Sequence, residues 1–143
     1  MDEKLKYYLR ETVSPEGFPE GAPEELIQSV QKQLDFRLPE EYLDAMRANN
    51  GREGEVGEDS WIVLFPIEEL IEINHDYRLL MEQIPDYFLI GKDSADTGYA
   101  FHKHNHTFHA FGLMSDFRTD NIDFSLSSFS AFIEYLYNYK FDG

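Results

Sequence analysis

The chain has 143 residues, with 12 Lys and Arg against 28 Asp and Glu, a formal charge of −16; 42% of its residues are hydrophobic and 15% aromatic. That length suits one domain spanning 1–143, long enough to bury roughly two-thirds of its unfolded surface, and the aromatic content argues against disorder. Cysteine is absent, which excludes disulfide frameworks, thiolate metal sites and cysteine nucleophiles, while the negative charge repels nucleic acid and anionic lipid and attracts basic partners.

Met1–Tyr8 lacks the uninterrupted apolar segment of a secretory signal. No run approaches the ~20 apolar residues of a membrane span, so the expected setting is the cytoplasm. Leu5, Tyr8 and Leu9 fall at i, i+3 and i+4, which predicts a short helix over 2–11. Residues 12–22 contain Pro15, Gly17, Pro19 and Gly21 and read as a loop. Pro23 opens a second helix with Leu26, Ile27, Val30 and Leu34 on one face, and Asp35-Phe36-Arg37 links it to a third over Leu38–Arg47. The short link predicts that these two helices pack as a hairpin.

The third helix carries its own punctuation. Pro39 suits its first position, Glu40 and Glu41 its positive first turn, and Tyr42, Leu43 and Met46 its apolar stripe. Asn49-Asn50-Gly51 supplies residues tolerant of the left-handed conformation that ends helices.

Gly51–Asp59, with three glycines and four carboxylates, reads as an exposed acidic loop. Ser60–Phe65 is β-branched and aromatic and predicts a central strand covered on both faces. Pro66 opens a helix to Asn74 that continues, with a break, through Tyr77, Leu80 and Met81. Tyr87–Ile90 reads as a strand and Lys92–Gly98 as a turn. Tyr99–His102 and Thr107–Phe111 read as a hairpin around Lys103–His106. Asp116–Asp123 reads as loop, followed by a short strand at Ile122–Leu126. Ser127 is placed as the N-cap of a last helix bearing Phe129, Phe132, Ile133 and Leu136. This order predicts an α+β fold, with helices packed around a mostly antiparallel sheet of about four to six strands.

The segments Pro23-Glu24-Glu25-Leu26-Ile27, Leu38-Pro39-Glu40-Glu41-Tyr42 and Asn50-Gly51 resemble the signature of the SUKH superfamily of bacterial immunity proteins and fungal regulators of cell-wall glucan synthesis. A Trp-bearing strand, Ile90-Gly91 with Asp93, Gly98-Tyr99 and the closing Ser128–Ile133 agree with it, so the resemblance spans about 20–137. Where the family often carries a second glycine after Asn-Gly, this chain has Arg52, and its Ser94-Ala95-Asp96 holds less glycine than usual.

The resemblance implies a non-enzymatic protein-binding domain without a cofactor. The expected role is an immunity protein that neutralises a cognate toxin, such as a nuclease, through the toxin's basic cleft. The alternative is a regulatory or scaffold module of the glucan-synthesis type without a toxin partner. A basic partner would be steered by the −16 charge.

Candidate partner-binding residues are Glu53, Glu55, Glu58 and Asp59 of the acidic stretch, Trp61 beside it as an anchor or as core, and Asp93 and Asp96 of the following turn. His102, His104 and His106 would share one face of an extended strand and so form a weak metal candidate; a turn at 103–106 would splay them. Asp93–Gly98 fails as a calcium loop, because Ala95 and His104 stand where oxygen ligands belong. No serine lies in a G-x-S-x-G turn, and no phosphate loop or dinucleotide fingerprint is present. The tail rings Tyr135, Tyr137, Tyr139 and Phe141 are too dense for one helical face to bury, so some must be exposed, cover the sheet or join subunits.

Overall fold

The computed structural model describes residues 1–13 and 20–141. The expected loop at Pro15, Gly17 and Pro19 lies outside the described residues. Among the described residues six α-helices run Glu3–Tyr8 (α1), Glu24–Lys32 (α2), Glu40–Ala48 (α3), Leu70–Asp76 (α4), Arg78–Met81 (α5) and Phe129–Asn138 (α6). Six strands run Thr12–Val13 (β1), Arg52–Val56 (β2), Ser60–Leu64 (β3), Tyr87–Lys92 (β4), Thr97–His102 (β5) and Phe108–Gly112 (β6). They form one antiparallel sheet in the order β1-β2-β3-β4-β5-β6, which makes the fold α+β as the element order predicts.

Alternation along the strands sends residues to two separate cores. Phe88, Ile90, Tyr99, Phe101, Phe108 and Ala110 meet α1, α3 and α6 on one face. Leu89, Ala100 and Phe111 meet Leu80, Met81 and Ile84 on the other. β3 is central by position but not covered on both faces: Ile62 and Leu64 are buried, whereas Trp61 and Val63 are half-exposed. Helices cover only one side of the sheet here.

The proline-led helices differ slightly from expectation. Pro23 and Pro39 are the caps, with extended ψ angles of 152° and 136°, and the helices begin one residue later. α2 and α3 share one core through Ile27, Val30, Leu43 and Met46; α2 also lies against the 3₁₀ turn Ile67–Glu69, and α3 against α6. Gln31 closes their link, donating to Phe36 O at 2.6 Å and accepting from Leu38 N at 3.0 Å. Arg47 ties the end of α3 back to Glu24 and to Asp44.

Asn49 ends α3 in extended conformation, and only Gly51 of the Asn-Asn-Gly run is left-handed, at φ 92°. Asn50 works through its side chain. It accepts from Ile67 N at 2.9 Å and donates to the Glu68 carboxylate, capping the 3₁₀ turn that leads into α4. The helix after Pro66 is therefore a 3₁₀ turn plus α4, broken from α5 at Tyr77.

The largest correction concerns Gly51–Asp59. It is not a loop but strand β2 and a tight turn into β3, with Glu53 opposite Val63 and Glu55 opposite Trp61. Arg52, Gly54 and Val56 face inward. Arg52 is buried and donates to Thr12 Oγ1 at 3.2 Å and Ala45 O at 3.3 Å. A Cβ on Gly54 would sit 2.4 Å from Glu11 O, so β1 can pair only with glycine there.

The N-cap of α6 is Ser128, not Ser127: its hydroxyl accepts from Ala131 N at 3.1 Å. Ser128→Ala is accordingly expected to destabilise the protein by about 1 kcal/mol, and Ser127→Ala by a few tenths at most, in parallel urea titrations.

Candidate functional site

At one end of the sheet the turn Gly57–Asp59, the β4–β5 turn and the C-terminal half of α6 converge. Gly57 makes the first approach possible: it is left-handed at φ 72°, and a Cβ there would lie 2.2 Å from Tyr137 O. The second turn is held by Asp93, whose Oδ1 accepts from Ala95 N at 2.8 Å and Thr97 N at 3.0 Å. The third wall extends beyond β6, where Leu126 bridges to Phe108 and Asp123 N donates to Ala110 O at 2.8 Å. The expected strand at 122–126 is reduced to this bridge.

Between these walls lies a groove of about 500 Å³. Among the described residues five carboxylates line it, those of Glu55, Glu58, Asp59, Asp93 and Asp123, and no Lys or Arg does. Its other walls are Trp61, Tyr99, Phe124, Tyr135 and Tyr139. Phe124 packs on Tyr135 at 4.8 Å between centroids, and Tyr135 on Tyr139 at 6.3 Å. Tyr99 is 5% exposed, and among the described residues its hydroxyl reaches only Trp61 O, at 3.4 Å. That is long for an O–H···O bond. Burial, reinforced by the nearby Asp93 and Tyr135, raises the Tyr99 hydroxyl's pKa, so it stays a neutral phenol.

The chain's C-terminal residues approach the rim. Lys140 Nζ lies 2.9 Å from Glu58 Oε2, and Asp59 Oδ2 accepts from Phe141 N at 3.0 Å. The bond to Glu58, with the charges of Glu58 and Asp59, raises the Lys140 pKa. The tail rings divide as their density requires: Tyr137 packs on Tyr7 and Tyr8, whereas Tyr135, Tyr139 and Phe141 remain exposed.

The fold thus brings Glu55, Glu58, Asp59, Trp61 and Asp93 to one groove. It does not bring Glu53 or Asp96 there. Glu53 projects to solvent farther along β2, and Asp96 is exposed on its turn, its carbonyl accepting from Leu113 N at 2.7 Å. Sequence reading missed Asp123, Tyr99 and Phe124 as site residues. The only trace of the first and last was the short strand read at Ile122–Leu126.

The three histidines do not meet at one point: the rings of His102 and His104 pack edge-on at 5.7 Å, and His106 turns away. His102 Nδ1 accepts from the backbone of His104 and Asn105, both at 3.2 Å, while His106, left-handed at φ 55°, sets its Nε2 2.8 Å from Arg37 O. Among the described residues no group of three His, Asp or Glu is placed to hold a metal.

His109 is the buried one. Its Nδ1 lies 2.8 Å from Phe124 O and its Nε2 2.8 Å from Thr107 Oγ1, so it fastens the groove wall to β6. Burial lowers its pKa below 6.5, opposed by the Phe124 carbonyl and aided by His102. The fold therefore favours the neutral ring, and the stability it contributes is present above pH 6.5 and lost as pH falls through 6.5 towards the folded value. His109→Gln is expected to flatten the fall in melting temperature between pH 7 and about 5.5, measured by calorimetry beside the unsubstituted protein.

Residues 21–135 match the model of the SMI1 / KNR4 family (SUKH-1). The match takes in both proline-led helices, five strands of the sheet and every lining residue of the groove except Leu136 and Tyr139. No curated protein matches the chain. No helix among the described residues is long and apolar enough to cross a membrane.

Proposed function

The chain belongs to the SMI1 / KNR4 family (SUKH-1), and from that premise we propose that it acts by binding another protein, as an immunity protein against a toxin domain with a basic surface. The family fits immunity proteins and regulators of glucan synthesis alike and is generally non-enzymatic. What supports the immunity reading is the groove: among the described residues five carboxylates and no Lys or Arg line it, in a protein of charge −16. A nuclease or other enzyme acting on anions has a basic cleft, and an acidic surface of this kind steers association with it and occupies it.

The partner is no nucleic acid, since the same charge repels phosphate. Binding in the cytoplasm, where such a toxin would otherwise act, completes the reading. The test is functional. The protein is captured with its partners from its native cell, and the recovered partner and the product of the neighbouring gene are expressed with and without it. Recovery of one basic protein whose toxicity this chain suppresses supports the proposal. Recovery of several non-toxic partners from signalling or wall synthesis overturns it in favour of the regulatory role.

A further inference from the structure

Resting on the reading of a basic protein partner, we infer that the groove is a pocket for an arginine side chain of that partner, with Lys140 of the chain itself competing for its Glu58 end. Three observations carry the step. Glu55, Asp93 and Asp123 approach from three different elements and offer acceptors around one space. Tyr99 adds a buried one: it is 5% exposed, and its oxygen accepts no hydrogen bond among the described residues. Acceptors gathered from four places around one space suit a ligand that carries positive charge and several N–H groups.

The walls then choose between the two basic side chains. Trp61 and the exposed rings Tyr135 and Tyr139 offer flat faces. A guanidinium stacks on such faces while its fork engages carboxylates; an ammonium is a more strongly hydrated point charge. The third observation is the chain's own cation. Lys140 rests 2.9 Å from Glu58 and is drawn in by the Phe141 N–H on Asp59, so the rim already holds a positive charge that an incoming side chain must displace.

Trp61 is the single tryptophan of the chain and stands at the groove, so its emission reports occupancy directly. The probes are a blocked Gly-Arg-Gly-Arg-Gly peptide and its lysine counterpart of equal charge. The arginine peptide is expected to change Trp61 emission saturably and to bind about fivefold more tightly than the lysine peptide. Glu55→Gln and Asp123→Asn, neither of which removes a side-chain hydrogen bond among the described residues, are each expected to weaken it about fivefold. Lys140→Gln is expected to strengthen it by a similar factor.

Glu72→Gln with Asp76→Asn, on α4 and away from the groove, changes net charge more than any of these and is expected to leave binding unchanged. Equal weakening by the α4 pair, equal affinity for the two peptides, or no saturable change overturns the pocket. The two readings fail separately. Toxin suppression that survives Glu55→Gln and Asp123→Asn removes the pocket and leaves the immunity role, whereas arginine-selective binding without any toxic partner does the reverse.

Discussion

Phe132→Ala is expected to cost about 3–5 kcal/mol, the range for emptying a fully buried aromatic site. Phe132 is completely buried on α6 and joins both layers of the larger core. It stacks on Phe108 at 5.8 Å with 13° between the planes, and meets Tyr99 at 5.1 Å and Phe129 at 6.3 Å. Its loss leaves a cavity directly behind Tyr99, so the groove should loosen as the fold weakens. For a domain of this size the melting temperature should fall by on the order of 10 °C. Phe141→Ala, at 73% exposed, should change it little. A loss below about 1 kcal/mol at Phe132 would mean that α6 is not packed on the sheet as described.

The second large effect is on association. Glu55→Lys together with Asp123→Lys is expected to slow binding to a basic partner by about tenfold to a hundredfold at low salt, and to flatten the salt dependence of the rate. Both side chains are exposed at the groove and make no hydrogen bond among the described residues, so folding should be untouched. Glu53→Lys is the control. It lies on the same strand and changes the same kind of charge but stands outside the groove, so it should slow binding less than either groove reversal alone. Stopped-flow fluorescence at several ionic strengths reads both rates. Equal effects from Glu53 and Glu55 would make the surface charge, not the groove, responsible.

Much of the fold is legible because local rules and tertiary packing agree. The acidic first turns and apolar stripes of α2 and α3, the β-branched run of β3 and the i, i+3, i+4, i+7 pattern of α6 all appear where the sequence places them, within a residue or two. β2 is illegible for a physical reason. Its inward positions are Arg52, Gly54 and Val56, so the alternation that marks a strand holds one hydrophobic residue only. Arg52 donates to Thr12, forty residues away, and to Ala45 on α3, and Gly54 is demanded by β1 pairing closely alongside. Neither partner is visible from the segment itself.

The same non-local cause limits the site. The carboxylates of Glu55, Glu58, Asp59 and Asp93 could be read as exposed and acidic, but their meeting depends on Gly57 admitting the turn against Tyr137. Asp123 joins them only because the chain after the loop runs beside β6, held by the bonds of Leu126 and Asp123 and by His109 on Phe124. The extra glutamate and aspartate at 53 and 96 were as acidic as the rest, and composition alone gives no means to separate them. Likewise, Asn50-Gly51 is readable as a stop signal, but not Asn50 as the cap of the 3₁₀ turn that starts seventeen residues later.

The most direct test of the account is hydrogen–deuterium exchange on the complex with the partner captured from the native cell, compared with the free protein. The account predicts added protection at residues 55–61, 93–99 and 122–126 and over the end of α6, with release of the Phe141 amide from Asp59. Protection confined to α2 or to α4 and α5, with the groove segments exchanging as they do in the free protein, would contradict it.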